Sequence, residues 1–186
     1  MSRLVSLRLA LSAALLSLGM LTVGGLTPAV DSASAQAVGP GRSGLPIPRF
    51  VSLKSSRVNL RIGPGRTYPV DWMYMKAGLP VEVIQEYDNW RRVRDSEGAE
   101  GWINQSLLSG KRTGIATPWN IGKEATVSLL REPSADSRLV ATIEPGVLGQ
   151  IERCDGKWCD MRFGNLRGYV SQALIWGAYP DEQITD

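Results

Sequence analysis

The chain has 186 residues, a formal net charge of +3 and no histidine. Without an imidazole, Ser-His-Asp catalysis, Cys-His catalysis and histidine-ligated zinc sites are excluded. Two cysteines are too few for a four-cysteine zinc site, and neither the charge nor any motif spacing indicates nucleic-acid binding. We therefore expect no metal site, no cofactor and no histidine-dependent catalysis.

The first residues have the features of a cleaved export signal. Arg3 and Arg8 form a short positively charged region before an apolar run from Leu9 to Leu26. Ala33-Ser34-Ala35 then provides a small-residue cleavage site. The alternative is a retained membrane anchor, because the run is near the lower limit for spanning a bilayer. Its Ser, Gly and Thr content and the cleavage site favour removal of residues 1–35. The expected location is periplasmic or secreted, with no membrane attachment after cleavage.

Residues 36–49 are rich in Gly and Pro, which predicts an extended tether. Its segment Pro46-Ile47-Pro48-Arg49 could instead fold back onto the domain that follows.

Charge is unevenly distributed between the two halves of the chain beyond the cleavage site. Residues 36–112 hold 12 basic and 7 acidic side chains, whereas residues 113–186 hold 7 basic and 10 acidic ones. The first half therefore suits an anionic partner better.

The chain repeats itself with a period of about 70 residues, which is too long for a solenoid and indicates duplicated small domains. The segment 88–94 recurs as 156–162, the segment 101–108 recurs as 168–175, and Leu60-Arg61 aligns with Leu130-Arg131. We predict a first domain over residues 50–112, a linker over 113–125, a second domain over 126–178 and a tail over 179–186.

Each repeat shows the pattern of short strands. Val58 and Leu60 alternate with Arg57, Asn59 and Arg61, and turn signals fall roughly every 8–12 residues, as in small all-β folds. Single 3₁₀ turns are expected near residues 106–108 and 173–175. The predicted fold class is all-β.

Cys154 and Cys159 flank a hairpin tip in the second repeat. A hairpin would bring their sulfurs onto facing strands, and export would place them in an oxidising compartment. We therefore predict a disulfide. The alternative, a redox or metal pair, lacks the C-x-x-C spacing and any further ligand.

Three motifs of the first repeat resemble the bacterial SH3 domain family. They are the segment 58–65 followed by Tyr68-Pro69-Val70, the segment 89–94, and Gly101-Trp102-Ile103. The resemblance covers residues 50–178 and weakens in the second repeat, where Glu132-Pro133-Ser134 replaces Gly63-Pro64-Gly65. It implies two tandem SH3-like β-barrels that act as recognition modules. Such domains commonly accompany cell-wall hydrolases and bind peptidoglycan peptides.

Candidate ligand contacts are aromatic and arginine side chains. Trp90 and Trp158 lie where SH3 domains place a groove-lining tryptophan, but in domains this small a tryptophan is more often core. Arg92 and Arg94 share one strand face, which could bind a carboxylate or simply be solvated. The polyproline groove is not expected, because its Pro and Tyr are missing from segment 101–107. The candidate binding residues are Tyr68, Trp72, Trp90, Arg92, Arg94, Trp102 and Trp158.

The leading functional hypothesis is non-catalytic recognition of peptidoglycan or its peptides in the cell envelope. The alternative is a periplasmic protein–protein adaptor that regulates a separate envelope enzyme or sensor. An enzyme is disfavoured, because no nucleophile–base pair can be assembled without imidazole. The ligand's identity, the repeat that binds it and the oligomeric state are left open.

Overall fold

The computed structural model describes residues 39–123 and 125–185, so the predicted export signal and its cleavage site lie outside the described residues. Within these ranges the chain is all-β, as predicted, with three 3₁₀ turns, at Gln105–Leu107, Pro118–Asn120 and Gln172–Leu174. No helix in the described part of the chain is long and apolar enough to span a membrane.

The strands are β1 (Gly39–Pro40), β2 (Pro46–Ile47), β3 (Arg49–Leu53), β4 (Val58–Arg61), β5 (Val70–Tyr74), β6 (Pro80–Tyr87), β7 (Trp90–Arg94), β8 (Glu100–Asn104), β9 (Leu108–Ser109), β10 (Thr113–Ala116), β11 (Val127–Leu130), β12 (Leu139–Ile143), β13 (Leu148–Asp155), β14 (Trp158–Phe163), β15 (Leu166–Ser171), β16 (Ile175–Trp176) and β17 (Gln183–Ile184).

The first barrel is an antiparallel sheet with the strand order β5-β4-β8-β7-β6-β3-β9. Alternation along each strand sends one set of side chains inward, as the predicted period of two requires. On β4, Val58 and Leu60 are fully buried while Asn59 and Arg61 lie on the outer face. The inward side chains form one core cluster: Leu53, Val58, Leu60, Tyr74, Val81, Val83, Val93 and Ile103.

The second barrel repeats this topology, with the order β12-β11-β15-β14-β13-β10-β16. The strand β10 takes the place that β3 has in the first barrel, so residues 113–116 of the predicted linker belong to this sheet. The predicted tail contains β17, which pairs with the end of β13. Short strands like these are difficult to find from sequence, because they carry too few alternating positions to show a period.

Register shows that the predicted alignment of Leu60-Arg61 with Leu130-Arg131 is wrong by one residue. Arg61 pairs with Trp102, and Leu130 is the residue that pairs with the corresponding Tyr169. The core position of Leu60 is thus held by Leu129, which is also fully buried. The two repeats share a Leu-Arg dipeptide at positions that differ by one residue in the fold. Residue identity therefore gave the wrong match, because pairing between strands sets which side chains face inward.

The segment before the first barrel is folded against it. β1 pairs with β2, and Ser43 donates to the Glu86 carboxylate from its backbone N–H (2.8 Å) and its hydroxyl (2.7 Å). Arg49 donates to the same carboxylate at 2.8 Å. The described part of the predicted tether, residues 39–49, is therefore attached to β6 rather than extended into solvent.

Glu86 also connects the two strands of the tip hairpin. It pairs with Arg91 across β6 and β7, and both residues are buried. In the second barrel the corresponding facing residues are Cys154 and Cys159, which form the predicted disulfide. One barrel thus links this hairpin by a buried ion pair, and the other links it covalently.

The two barrels contact each other through aromatic and charged side chains. The Phe50 ring lies 5.1 Å from the Trp176 ring and 4.7 Å from the Tyr179 ring, measured between centroids. Arg112 lies over the same ring and donates to both carboxylate oxygens of Glu182. The Tyr179 hydroxyl donates to Glu82 of the first barrel at 2.9 Å. These contacts tie the two repeats together.

Removal of the disulfide by Cys154→Ser with Cys159→Ser should lower the free energy of unfolding by about 2 kcal/mol, because the closed loop is short. Urea unfolding with and without a thiol reductant measures this effect. The reductant should destabilise the native protein and leave the double variant unchanged. Equal sensitivity of both proteins to reductant would contradict the prediction.

Glu86 makes stability depend on pH. Burial raises the pKa of Glu86, but hydrogen bonds from Ser43 and Arg49 and the charge of Arg91 outweigh it and lower the pKa from 4.5 to about 2. The ionised carboxylate therefore stabilises the fold fully above pH 4.5, and this contribution is lost as pH falls towards 2.

Glu86→Gln should lower the unfolding free energy at pH 7 and flatten its decline between pH 4.5 and 2. Urea unfolding at a series of pH values measures both effects. Glu144→Gln, at an exposed carboxylate, is the matched control and should follow the native profile. Parallel profiles for the native protein and the Glu86 variant would refute the role of this group.

Candidate functional site

A cleft of about 500 Å³ opens on the outer face of the first barrel. β4 contributes Asn59 and Arg61, while Trp90 of β7 and Asn104 of β8 stand directly opposite each other. We call it the arginine cleft, and its lining residues are Arg57, Asn59, Arg61, Arg66, Met73, Trp90, Asn104, Ser106 and Leu107.

Three guanidinium groups give this cleft its charge. Arg57, Arg61 and Arg66 line it, and no carboxylate does. Among the described residues, none of the three takes part in an ion pair. Arg61 donates to the backbone carbonyl of Tyr68 at 2.6 Å, which fixes its position and leaves other donors free. The cleft therefore offers cationic donors beside the half-buried ring of Trp90, a combination suited to a carboxylate next to a flat or apolar group.

The strands β8 and β4 pair beneath this cleft and approach each other closely at position 101. The close approach requires glycine at that position. A Cβ on Gly101 would lie 2.5 Å from the Leu60 Cγ and 2.9 Å from the Arg61 carbonyl oxygen. The second barrel has the same arrangement at Gly168, where a Cβ would lie 2.5 Å from the Leu130 carbonyl oxygen. The repeated glycine is thus a packing requirement of the barrel.

Three of the predicted ligand residues lie on the face that contains the cleft. Trp90 lines the cleft itself. Trp102 pairs across strands with both Arg61 and Arg92, so these side chains form a row on the same face. Arg92 forms an ion pair with Glu100 at 2.8 Å, and it is therefore less available to a ligand than Arg61.

The other predicted ligand residues of the first repeat lie elsewhere. Arg94 pairs with the buried Glu82, in the contact between the barrels. Trp72 is 60 % exposed and pairs with the inward-facing Leu60, so it lies on the opposite face of the β4–β5 hairpin from the arginine cleft. The Tyr68 ring covers Gly63, where a Cβ would lie 2.3 Å from it. Trp72 therefore does not lie beside Trp90, because it projects from the opposite face of β5 to Met73, which lines the cleft. Tyr68 is outside the cleft lining, although its carbonyl oxygen accepts the hydrogen bond from Arg61.

Trp158 is the counterpart of Trp90 in the second barrel, and it is also half-buried. Neither side chain belongs to the core cluster of its barrel. The arginines around Trp90, however, have no counterparts. Register and turn hydrogen bonds place Thr126, Leu130 and Ala135 where the first barrel has Arg57, Arg61 and Arg66. The arginine cleft thus belongs to the first barrel alone.

Sequence reasoning missed most of the polar lining of the cleft. Arg57, Asn59 and Arg61 alternate with buried Val58 and Leu60, which was a sufficient signal that the three share the outer face of β4. Asn104 and Ser106 gave no such signal, since Asn104 is the last residue of β8 and Ser106 lies in the 3₁₀ turn that follows it. Within residues 39–123 and 125–185, no group of three or more His, Cys, Asp and Glu side chains is arranged to hold a metal ion.

The sequence profile of the bacterial SH3 domain matches the chain twice, at residues 54–110 and 123–177. The chain belongs to the bacterial SH3 domain family. The two matches coincide with the two barrels, so the predicted tandem SH3-like fold is confirmed. Bacterial SH3 domains are in general binding modules. No curated relative matches the chain.

Two solved structures share a limited likeness with this SH3 protein. NlpC2 from Trichomonas vaginalis is 11% identical, with a TM-score of 0.31 over 69% of this chain and 48% of that chain. NlpC1 from the same organism is 11% identical, with a TM-score of 0.31 over 74% of this chain and 48% of that chain. This chain therefore spans about half the length of each. A TM-score this low does not indicate a shared overall arrangement.

Proposed function

We propose that this protein is a non-catalytic binding module of the bacterial cell envelope, and that it recognises peptidoglycan through the carboxylates of its stem peptides. The observation that carries the proposal is the arginine cleft. It combines Arg57, Arg61 and Arg66 with the indole of Trp90 in one concave surface. Stem peptides present carboxylates on a short backbone, which guanidinium groups can bind through paired N–H donors.

The proposal applies to the first barrel, because the two barrels differ in the residues around the equivalent tryptophans. Trp158 retains the aromatic position, but Thr126, Leu130 and Ala135 supply no cation around it. We therefore assign carboxylate recognition to the first barrel. The charge of the two halves agrees with this assignment, since residues 36–112 carry the basic excess.

The test is co-sedimentation with purified peptidoglycan sacculi over a range of salt concentrations. Arg57→Gln/Arg61→Gln/Arg66→Gln should weaken binding at least about tenfold, because each substitution removes a charge-assisted donor. The matched control is Arg131→Gln/Arg138→Gln/Arg153→Gln, which changes the net charge equally at exposed positions of the second barrel. It should bind like the native protein.

The salt series separates recognition from general attraction. Equal loss in both triple variants, with binding that fades as salt rises, would indicate nonspecific charge attraction. A folded native protein that does not sediment with sacculi would refute the proposal and favour the adaptor alternative. Circular dichroism of each variant establishes that the barrel is intact.

A further inference from the structure

A second cleft, of about 470 Å³, lies between the two barrels. The first barrel contributes β5, the start of β6 and the turn after β7, and the second barrel contributes residues from β10, the following 3₁₀ turn and the turn before β13. We call it the inter-barrel cleft, and its lining residues are Asp71, Trp72, Tyr74, Lys76, Leu79, Pro80, Val81, Asp95, Ser96, Glu97, Ala99, Ile115, Pro118, Ile121 and Gly146.

The chemistry of this cleft is opposite to that of the arginine cleft. Its floor is apolar, and Trp72 and Ile121 are exposed by 60 % and 59 % at its mouth. Three carboxylates, those of Asp71, Asp95 and Glu97, line it against one ammonium group, that of Lys76. Asp95 accepts hydrogen bonds from the Tyr74 hydroxyl and from two backbone N–H groups of its own turn. The site therefore suits an apolar side chain accompanied by a cation.

The strand β5 borders the cleft with a free edge. Among the described residues, β4 is the only strand that pairs with β5, which ends the sheet. Four of its five residues, Val70 to Met73, are exposed, whereas the four residues of its paired strand β4 are buried or half-buried. A free edge of this kind can accept an extended peptide as an additional strand. Side chains of such a peptide alternate between the two faces of the sheet.

We propose that β5 and the inter-barrel cleft form a docking site for an extended segment of a partner protein that alternates basic or apolar residues with small polar ones. Its backbone pairs with the free edge of β5. Its apolar side chains enter the cleft beside Trp72, and its basic side chains meet Asp71 and Glu97. The site is separate from the arginine cleft, because Trp72 and Met73 project to opposite faces of β5.

The probe is the acetylated and amidated peptide Lys-Ser-Leu-Ser-Lys-Ser-Leu, with binding measured by fluorescence anisotropy. The peptide Glu-Ser-Leu-Ser-Glu-Ser-Leu should bind about fivefold to tenfold more weakly, since its charges oppose the carboxylates of the cleft. Trp72→Ala should weaken binding of the lysine peptide about tenfold. Leu139→Ala, at an exposed apolar position on the corresponding edge strand β12, is the matched control and should change nothing.

Two further measurements test the strand pairing itself. Hydrogen exchange of those amides within residues 70–74 that face the free edge should slow when the lysine peptide binds, because the other amides of the strand face β4. N-methylation of one alternate set of peptide amides should abolish binding, and N-methylation of the other set should preserve it, because only one set faces β5. Equal effects of the two methylation patterns, equal binding of the lysine and glutamate peptides, or no binding of the lysine peptide would each overturn the proposal.

This test is independent of the one for sacculi. The Arg57→Gln/Arg61→Gln/Arg66→Gln variant should retain peptide binding, and Trp72→Ala should retain sacculus binding. Loss of both activities in either folded variant would refute the separation of the two sites.

Discussion

Two barrels of about 60 residues share one constraint, which is that a domain this small buries too low a fraction of its surface to be more than marginally stable, so additional links matter. Each barrel has a link at the same place, the hairpin that follows its longest strand, which is β6 or β13. In the first barrel, Glu86 joins Arg91, Arg49 and the segment around Ser43. In the second, Cys154 and Cys159 join the strands covalently, and β17 packs alongside. The contact of Phe50 with Trp176 and Tyr179 then joins the barrels.

The duplication preserved the packing positions and changed the surface chemistry. Gly101 and Gly168 allow the same close approach of strands, and Leu60 and Leu129 hold the same core position. On the outer face the charges differ: Arg92 pairs with Glu100 in the first barrel, whereas the corresponding pair in the second is Asp160 with Arg167. A core tolerates little change in volume, while an outward-facing position is free to acquire a new role. This explains how one repeat carries an arginine cleft that the other lacks.

The hairpin of β4 and β5 separates two clefts on the first barrel. One face carries the cations of the arginine cleft, and the other borders the apolar, carboxylate-lined cleft against the second barrel. The second surface exists only because the barrels are docked, since Ile115, Pro118 and Ile121 form its far wall. A single barrel would present Trp72 to solvent without a cleft behind it. Docking of the repeats therefore forms a cleft that neither repeat has alone.

The all-β class, the two repeats and the disulfide could be predicted from the amino-acid sequence, because period-two alternation, internal similarity and the hairpin position of Cys154 and Cys159 are local signals. The sequence also indicated that Arg57, Asn59 and Arg61 face outward, because they alternate with the apolar residues Val58 and Leu60. It did not reveal that Arg94 is engaged by Glu82, that Trp72 and Trp90 lie on opposite faces, or that residues 39–49 are attached to Glu86. Those features depend on strand register and on contacts between residues distant in the chain, and local sequence patterns contain no record of either.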